Sequence, residues 1–349
     1  MPSDAPPTAP FEAAWLESFA ELFSLCGARA DETITLLTET QSRQINIDLA
    51  RDALTGMQLP HQTVTVPGKP QRQGPIIRST GASTALTGEE AAIRELCDSD
   101  LVIDLTVEGL MHAPETAGIL QSGARIMTIS NEHPEILSRL RPDPAMKDVV
   151  RGAVAACRAA TTMTVTSPAG TDLTVAMSDI PTVGVWGWTD RPGTLAHWPG
   201  GLVVSFPRKA SCDGTIVFAP GDINLTFKRY FESEVRCVVR DDFITEISGD
   251  GTDAQLMKRY LEGFNDPLAF ATSHVGWGLN PAARYEALTM YDKADLNGTE
   301  LRALAGNFLY STGANEFAGR FTEGHFDLPM MGCTISLDDI VVVRDGVPV

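Results

Sequence analysis

The 349-residue sequence holds six lysines, six cysteines and six histidines, and each scarcity narrows what the chain can be. With 27 basic residues against 45 acidic ones the formal net charge is −18, and no run of basic residues occurs. Such a surface repels phosphate backbones and anionic lipids, which excludes nucleic acid as a partner. No uninterrupted apolar stretch approaches the ~18 residues that a spanning helix needs, so no membrane segment is expected. The cysteines are scattered with no Cys-x-x-Cys pair, the usage of reduced thiols rather than of a disulfide framework. Residues 1–10 are Pro-rich and lack the charge and apolar core of a secretory leader. The expectation is a cytoplasmic protein.

Three motifs are also missing. The Gly-rich stretch Ser79-Thr80-Gly81-Ala82-Ser83-Thr84 lacks the Gly-Lys-Ser/Thr ending of a phosphate loop. No Gly-x-Gly-x-x-Gly follows the first strand-like segment, and no Gly-x-Ser-x-Gly elbow occurs. Phosphoryl transfer, dinucleotide redox chemistry and serine hydrolysis all recede.

What is present is a chain able to bury a large core, 43% hydrophobic and 21% charged with a mean hydropathy of −0.02. Apolar residues at helical spacing over 12–26 (Trp15, Phe19, Leu22, Phe23) predict an amphipathic helix. Strand-like segments then alternate with helical ones. Strands are expected at 33–38, 63–66, 101–105 and 124–129, and helices at 42–54, 89–97 and 114–121. That alternation implies an α/β fold with a doubly wound parallel sheet, placed at residues 1–135. A helix over 144–160, within a bridge assigned to 136–160, leads to a β-rich α+β part at 161–349. There, closely spaced strands are expected at 162–166, 172–177, 202–206, 215–218, 234–239 and 340–343, with helices at 253–264 and 281–285. The metal chemistry is expected in this second part.

Histidine placement is the most informative local feature. In Gly324-His325-Phe326-Asp327, residues two apart on a strand face the same side, so His325 and Asp327 would project together. His274, in Ser273-His274-Val275-Gly276-Trp277-Gly278, is the best third donor. Two histidines and one carboxylate leaving open positions suit a non-haem Fe(II) oxygenase, and equally a catalytic zinc. An unliganded surface pair would read the same way from spacing alone. His112 follows the 101–105 strand, where loops of an open α/β sheet line a ligand crevice. His197 lies in the Pro/Gly-rich His197-Trp198-Pro199-Gly200-Gly201 connection, and a capping histidine is the simpler explanation of it. The run from Gly306 through Asn307, Ser311 and Thr312 to Gly313 mixes amide, hydroxyl and aromatic groups as small-molecule pockets do.

These segments together make the sequence recognisable. It resembles the 2,5-dihydroxypyridine 5,6-dioxygenase family of bacterial nicotinate degradation, which is related to the M29 metallo-aminopeptidases. The resemblance is carried by His197-Trp198-Pro199, Gly221-Asp222-Ile223, Phe264-Asn265-Asp266-Pro267, the segments around His274 and 306–313, and His325-Phe326-Asp327. It spans about residues 100–345. Where the family carries Glu-Tyr-Gly before the His-Trp-Pro, this chain reads Val185-Trp186-Gly187.

The resemblance implies a mononuclear Fe(II) on His274, His325 and Asp327, with His112 and His197 close to the substrate as acid or base. O₂ is then a co-substrate, and a small hydroxylated N-heteroaromatic ring is the other partner. If that ring is 2,5-dihydroxypyridine, the product is N-formylmaleamate. Trp186, with Trp188 and Trp277, would wall the ring, and Asn307 and Ser311 would offer hydrogen bonds. Relatives assemble as closed oligomers, so a homo-oligomer is expected. The rival is an M29-like metallohydrolase using Zn²⁺ or Co²⁺.

Overall fold

The computed structural model describes residues 12–69 and 83–349; the Pro-rich first ten residues and most of the 79–84 stretch lie outside them. Five parallel strands form the first sheet in the order His61–Val66, Ile34–Glu39, Leu101–Asp104, Arg125–Ile129, Leu195–Trp198. The central strands are buried along their length, as sheets covered by helices on both faces require. Against them pack Ala13–Leu25, which buries Phe19, Leu22 and Phe23, and Gln44–Gly56, which buries Ile47, Leu49 and Leu54. Strand order reverses between Ile34–Glu39 and Leu101–Asp104, and ligand sites of such sheets open at the carboxyl ends beside that reversal.

The fifth strand, Leu195–Trp198, comes from well beyond residue 135. The chain leaves the parallel sheet through Pro144–Ala159, builds the hairpin Thr162–Thr166/Asp172–Ala176 elsewhere, and returns to pair Thr128 with His197. Sheet membership therefore does not follow the sequence division at 160.

The β-rich remainder forms two larger antiparallel sheets. One has eight strands and runs from Phe243–Ser248 to Val347–Pro348. The other orders Arg320–Met330, Phe308–Asn315, Thr272–Gly278, Leu202–Ser205 and Thr182–Val185. On one face of the first three of these strands Val275, Trp277, Phe308, Tyr310, Phe326 and Leu328 enter the main hydrophobic core. The period of two then sends His274, Ser311, His325 and Asp327 to the opposite face. That face looks toward the parallel sheet.

The segment 281–285 is not the helix its pattern suggested. Asn280 Oδ1 accepts the Ala282 N–H at 3.0 Å and Glu300 Oε1 accepts the Arg284 N–H at 2.6 Å, satisfying in a turn the donors that a first helical turn leaves open. The helix there is Ala287–Met290.

Candidate metal centre and substrate cleft

His112 sits in the loop after Leu101–Asp104. That loop is shaped by Asp104, a fully buried carboxylate that accepts from Thr106 N and Oγ1, Leu110 N and Thr128 Oγ1 at 2.6–3.0 Å. Burial pushes the Asp104 pKa up, while those four hydrogen bonds favour the ionised form. Gly109 makes the turn at φ +75°, and a Cβ there would meet Thr128 Cγ2 at 2.7 Å. The loop presents His112 with Nδ1 3.0 Å from Glu316 Oε1. Glu316 lies in the turn joining Phe308–Asn315 to Arg320–Met330. One group from each layer thus meets across the site.

His274 reaches the same spot because the Thr272–Gly278 strand changes register between Thr272 and Val275. Ring centroids of His112 and His325 are 4.4 Å apart, and those of His274 and His325 are 5.4 Å apart. Donor atoms of His112, His274 and His325 all fall within 4.8 Å of one another. Asp327 completes the cluster, with Oδ1 3.3 Å from His325 Nε2 and 3.6 Å from His274 Nε2. Its carboxylate is fixed from two sides: Arg302 Nε donates to Oδ2 at 2.5 Å, and the Ser311 hydroxyl donates to Oδ1. Just above His325, Gly313 adopts φ +101°, and a Cβ there would lie 1.8 Å from the Gly324 carbonyl oxygen.

The electrostatics suit a divalent metal. Burial raises the Asp327 pKa, but the Arg302 guanidinium, foremost of the opposing groups, outweighs it and holds the carboxyl well below its ordinary range. Burial lowers the pKa of His274 and His325, which keeps both rings neutral with lone pairs available. Among the described residues their buried Nδ1 atoms have no hydrogen-bond partner. Neutral imidazoles, an ionised carboxylate and orphaned ring nitrogens fit a bound cation.

Around the cluster opens a cleft of about 1380 Å³, lined by His112, His197, Trp186, Trp188 and Arg302. A family model described as 2,5-dihydroxypyridine 5,6-dioxygenase matches residues 14–349. The 2,5-dihydroxypyridine 5,6-dioxygenase of Pseudomonas putida KT2440 is 36% identical over 325 residues, covering 91% of this chain and 92% of that protein. The chain belongs to the 2,5-dihydroxypyridine 5,6-dioxygenase family.

The structure of 2,5-dihydroxypyridine dioxygenase from the same organism agrees in fold with a TM-score of 0.91 at 34% identity, covering 97% of this chain and 98% of that one. Wild-type AmpT from Thermus thermophilus gives a TM-score of 0.65 at 14% identity over 96% of this chain and 99% of that one, a likeness of fold alone. The α/β architecture, with a parallel sheet joined to antiparallel ones, is therefore that of the dioxygenase family. As dioxygenases, its members consume O₂.

Set against this dioxygenase-family site, the residues singled out in the sequence divide. His112, His197, His274, His325 and Asp327 all line one cleft, and Trp186 stands on its wall. Ser311 is brought to the cluster but is fully buried, and it orients Asp327 rather than facing the cleft. Asn307 is a correction. It is fully buried, its Oδ1 accepts the Gly278 N–H at 2.8 Å, and its amide donates to the Leu301 carbonyl at 2.7 Å. With its capacity spent on the backbone it ties two segments together and has nothing left for a ligand. Trp277 belongs to the core on the other face of its strand. Arg302 and Glu316 were missed, since no local pattern marks an arginine or a glutamate whose partner is 25 or 204 residues away.

Proposed function

We propose that this chain opens a hydroxylated N-heteroaromatic ring with O₂ at an Fe(II) centre, with 2,5-dihydroxypyridine as the parent substrate and N-formylmaleamate as its product. The observation that carries the reading is the convergence of His274, His325 and Asp327 in one buried cluster beside His112, in a chain of this family. We assign the first three as metal ligands. Asp327 suits the role better than His112 because Arg302 and Ser311 hold it with Oδ1 toward both imidazoles, whereas His112 is committed to Glu316. A metal held there by His274, His325 and Asp327 would supply the chemistry that activates O₂ and a ring hydroxyl.

The protein's own groups handle the proton and the ring. His112, with Nδ1 on the Glu316 carboxylate, is set to take the ring hydroxyl proton at its other nitrogen, since the carboxylate stabilises the imidazolium that forms. His197 is suited to a different role. Burial lowers its pKa to about 4, and Nδ1 is 2.7 Å from the Pro199 carbonyl, so it stays a neutral ring that orients the substrate. Trp186 and Trp188 flank the ring, and Phe206, 5.5 Å from His274, closes the apolar side.

The test is oxygen uptake by the Fe(II)-reconstituted protein supplied with 2,5-dihydroxypyridine. Stoichiometric uptake with loss of ring absorbance is expected. Absence of uptake in a sample with iron bound would overturn the reading in favour of a metallohydrolase.

A further inference from the structure

One wall of the cleft has a charge that contradicts the rest of the molecule. The Pro144–Ala159 helix presents Lys147, Arg151 and Arg158 to the cleft, and Arg191 joins them from the following segment. Arg158 lies 11 positions after Lys147, so this stripe runs roughly 16 Å, long enough to border a substrate rather than touch one atom of it. In a chain with a net charge of −18, a basic wall at a ligand site is a local inversion of sign.

The cleft's carboxylates do not cancel it. Asp327 is matched by Arg302 at 2.5 Å, Glu316 by His112 at 3.0 Å, and Asp190 by Lys147 at 2.7 Å. That leaves Arg151, Arg158 and Arg191 against Glu108. Arg158 donates to the Thr182 carbonyl, and none of the three arginines makes an ion pair among the described residues. The same cleft is lined by the Trp186 indole, whose buried Nε1 has no acceptor among the described residues, with Lys147 Nζ 5.3 Å from the ring centroid. The exposed guanidinium groups of Arg151, Arg158 and Arg191 and this indole N–H line the same cleft, and together they are donors that an anion there would use.

The volume agrees. At about 1380 Å³ the cleft exceeds the roughly 300–1,000 Å³ of ordinary small-molecule sites. One dihydroxylated ring at the histidine cluster leaves the helix wall unfilled.

We propose that the wall formed by Arg151, Arg158 and Trp186 binds a carboxylate carried on the ring, so that the substrate class is a hydroxylated N-heteroaromatic acid. The identity of the ring rests on the function proposed above; the anionic substituent rests on the charges of the wall.

The test is calorimetric titration of the Fe(II)-reconstituted protein without oxygen, using 2,5-dihydroxypyridine and its 3- and 4-carboxylates. At least one acid is expected to bind about fivefold more tightly than the parent ring, the scale of one or two charge-assisted contacts at a half-open site. That advantage should disappear in the double variant Arg151→Gln/Arg158→Gln and shrink in 0.5 M salt. If neither acid binds more tightly, or if the advantage survives both the variant and the salt, the proposal is overturned. Oxygen uptake by the same samples separates the two readings. Failure of all three rings to consume O₂ would sink the ring-cleaving function, while the calorimetric comparison still decides the anion site.

Discussion

Arg302 and Asp327 form a nearly buried pair, Nε to Oδ2 at 2.5 Å, with side-chain exposures of 11% and 3%. Asp327 is therefore a carboxylate with one oxygen tied to a guanidinium and the other turned to two imidazoles. Breaking a buried pair by removing one partner leaves an uncompensated charge, which typically costs about 3–5 kcal/mol. Arg302→Met is expected to lower stability on that scale in urea denaturation, and to weaken metal retention measured by dialysis against a chelator. Unchanged stability and unchanged metal content would show that Asp327 does not depend on Arg302.

The ligand assignment separates two triads that share His274 and His325. Asp327→Asn is expected to lose bound iron, whereas His112→Gln should retain it and lose turnover by on the order of 10²–10⁴, the usual worth of a positioned acid or base. Metal analysis of both purified variants decides between them. Iron lost from His112→Gln and kept by Asp327→Asn would make the three histidines the ligand set.

Glu316→Gln should keep the iron and reduce kcat by about tenfold, because the amide still hydrogen-bonds the His112 ring but no longer balances its positive charge. Steady-state oxygen uptake at saturating substrate, with iron content measured alongside, reads this directly. An unaltered kcat would mean that Glu316 only packs against His112.

His197 links stability to pH. Its folded pKa, about 4, lies below the ordinary 6.5, so the unfolded chain binds the extra proton between those values. The contribution is fully present above pH 6.5 and is lost progressively as pH falls toward 4. Melting of the metal-free protein over that window should show a shallower acid dependence in His197→Phe. Superimposable slopes would remove His197 as the source.

Asn307→Ala tests the reassignment of that residue. Three backbone groups lose their partner, at about 1–3 kcal/mol for each one left unsatisfied, so the melting temperature should fall. The KM of the protein that remains folded should not move. A raised KM with unchanged stability would return Asn307 to the substrate.

Much of this site was legible because strand periodicity is local. His325 and Asp327 share a face by the rule of two, and no distant contact is needed to see it. His274 was placed by residue type, and the register change after Thr272 that aims it cannot be read from its neighbours. Asn307 shows the limit. An amide amid glycines and aromatics looks the same whether it faces a ligand or ties down a backbone, and the difference lies in Gly278 and Leu301. The α/β alternation was visible up to Arg125–Ile129. The return of Leu195–Trp198 to the same sheet was not, because parallel pairing across 69 residues, Thr128 to His197, leaves no trace in local pattern.

The hydrogen bond between His112 and Glu316 spans the seam between the two sheets that build the centre. Groups assigned to hold the metal ride on the antiparallel layer, and His112, assigned to move the proton, rides on a loop of the parallel one. A small slide of one layer against the other would alter the alignment of proton carrier and ring while leaving every ligand in place. Substitutions along the seam can therefore tune catalytic rate separately from metal affinity. Such a division lets a lineage explore new ring substrates without first losing the residues assigned to the metal.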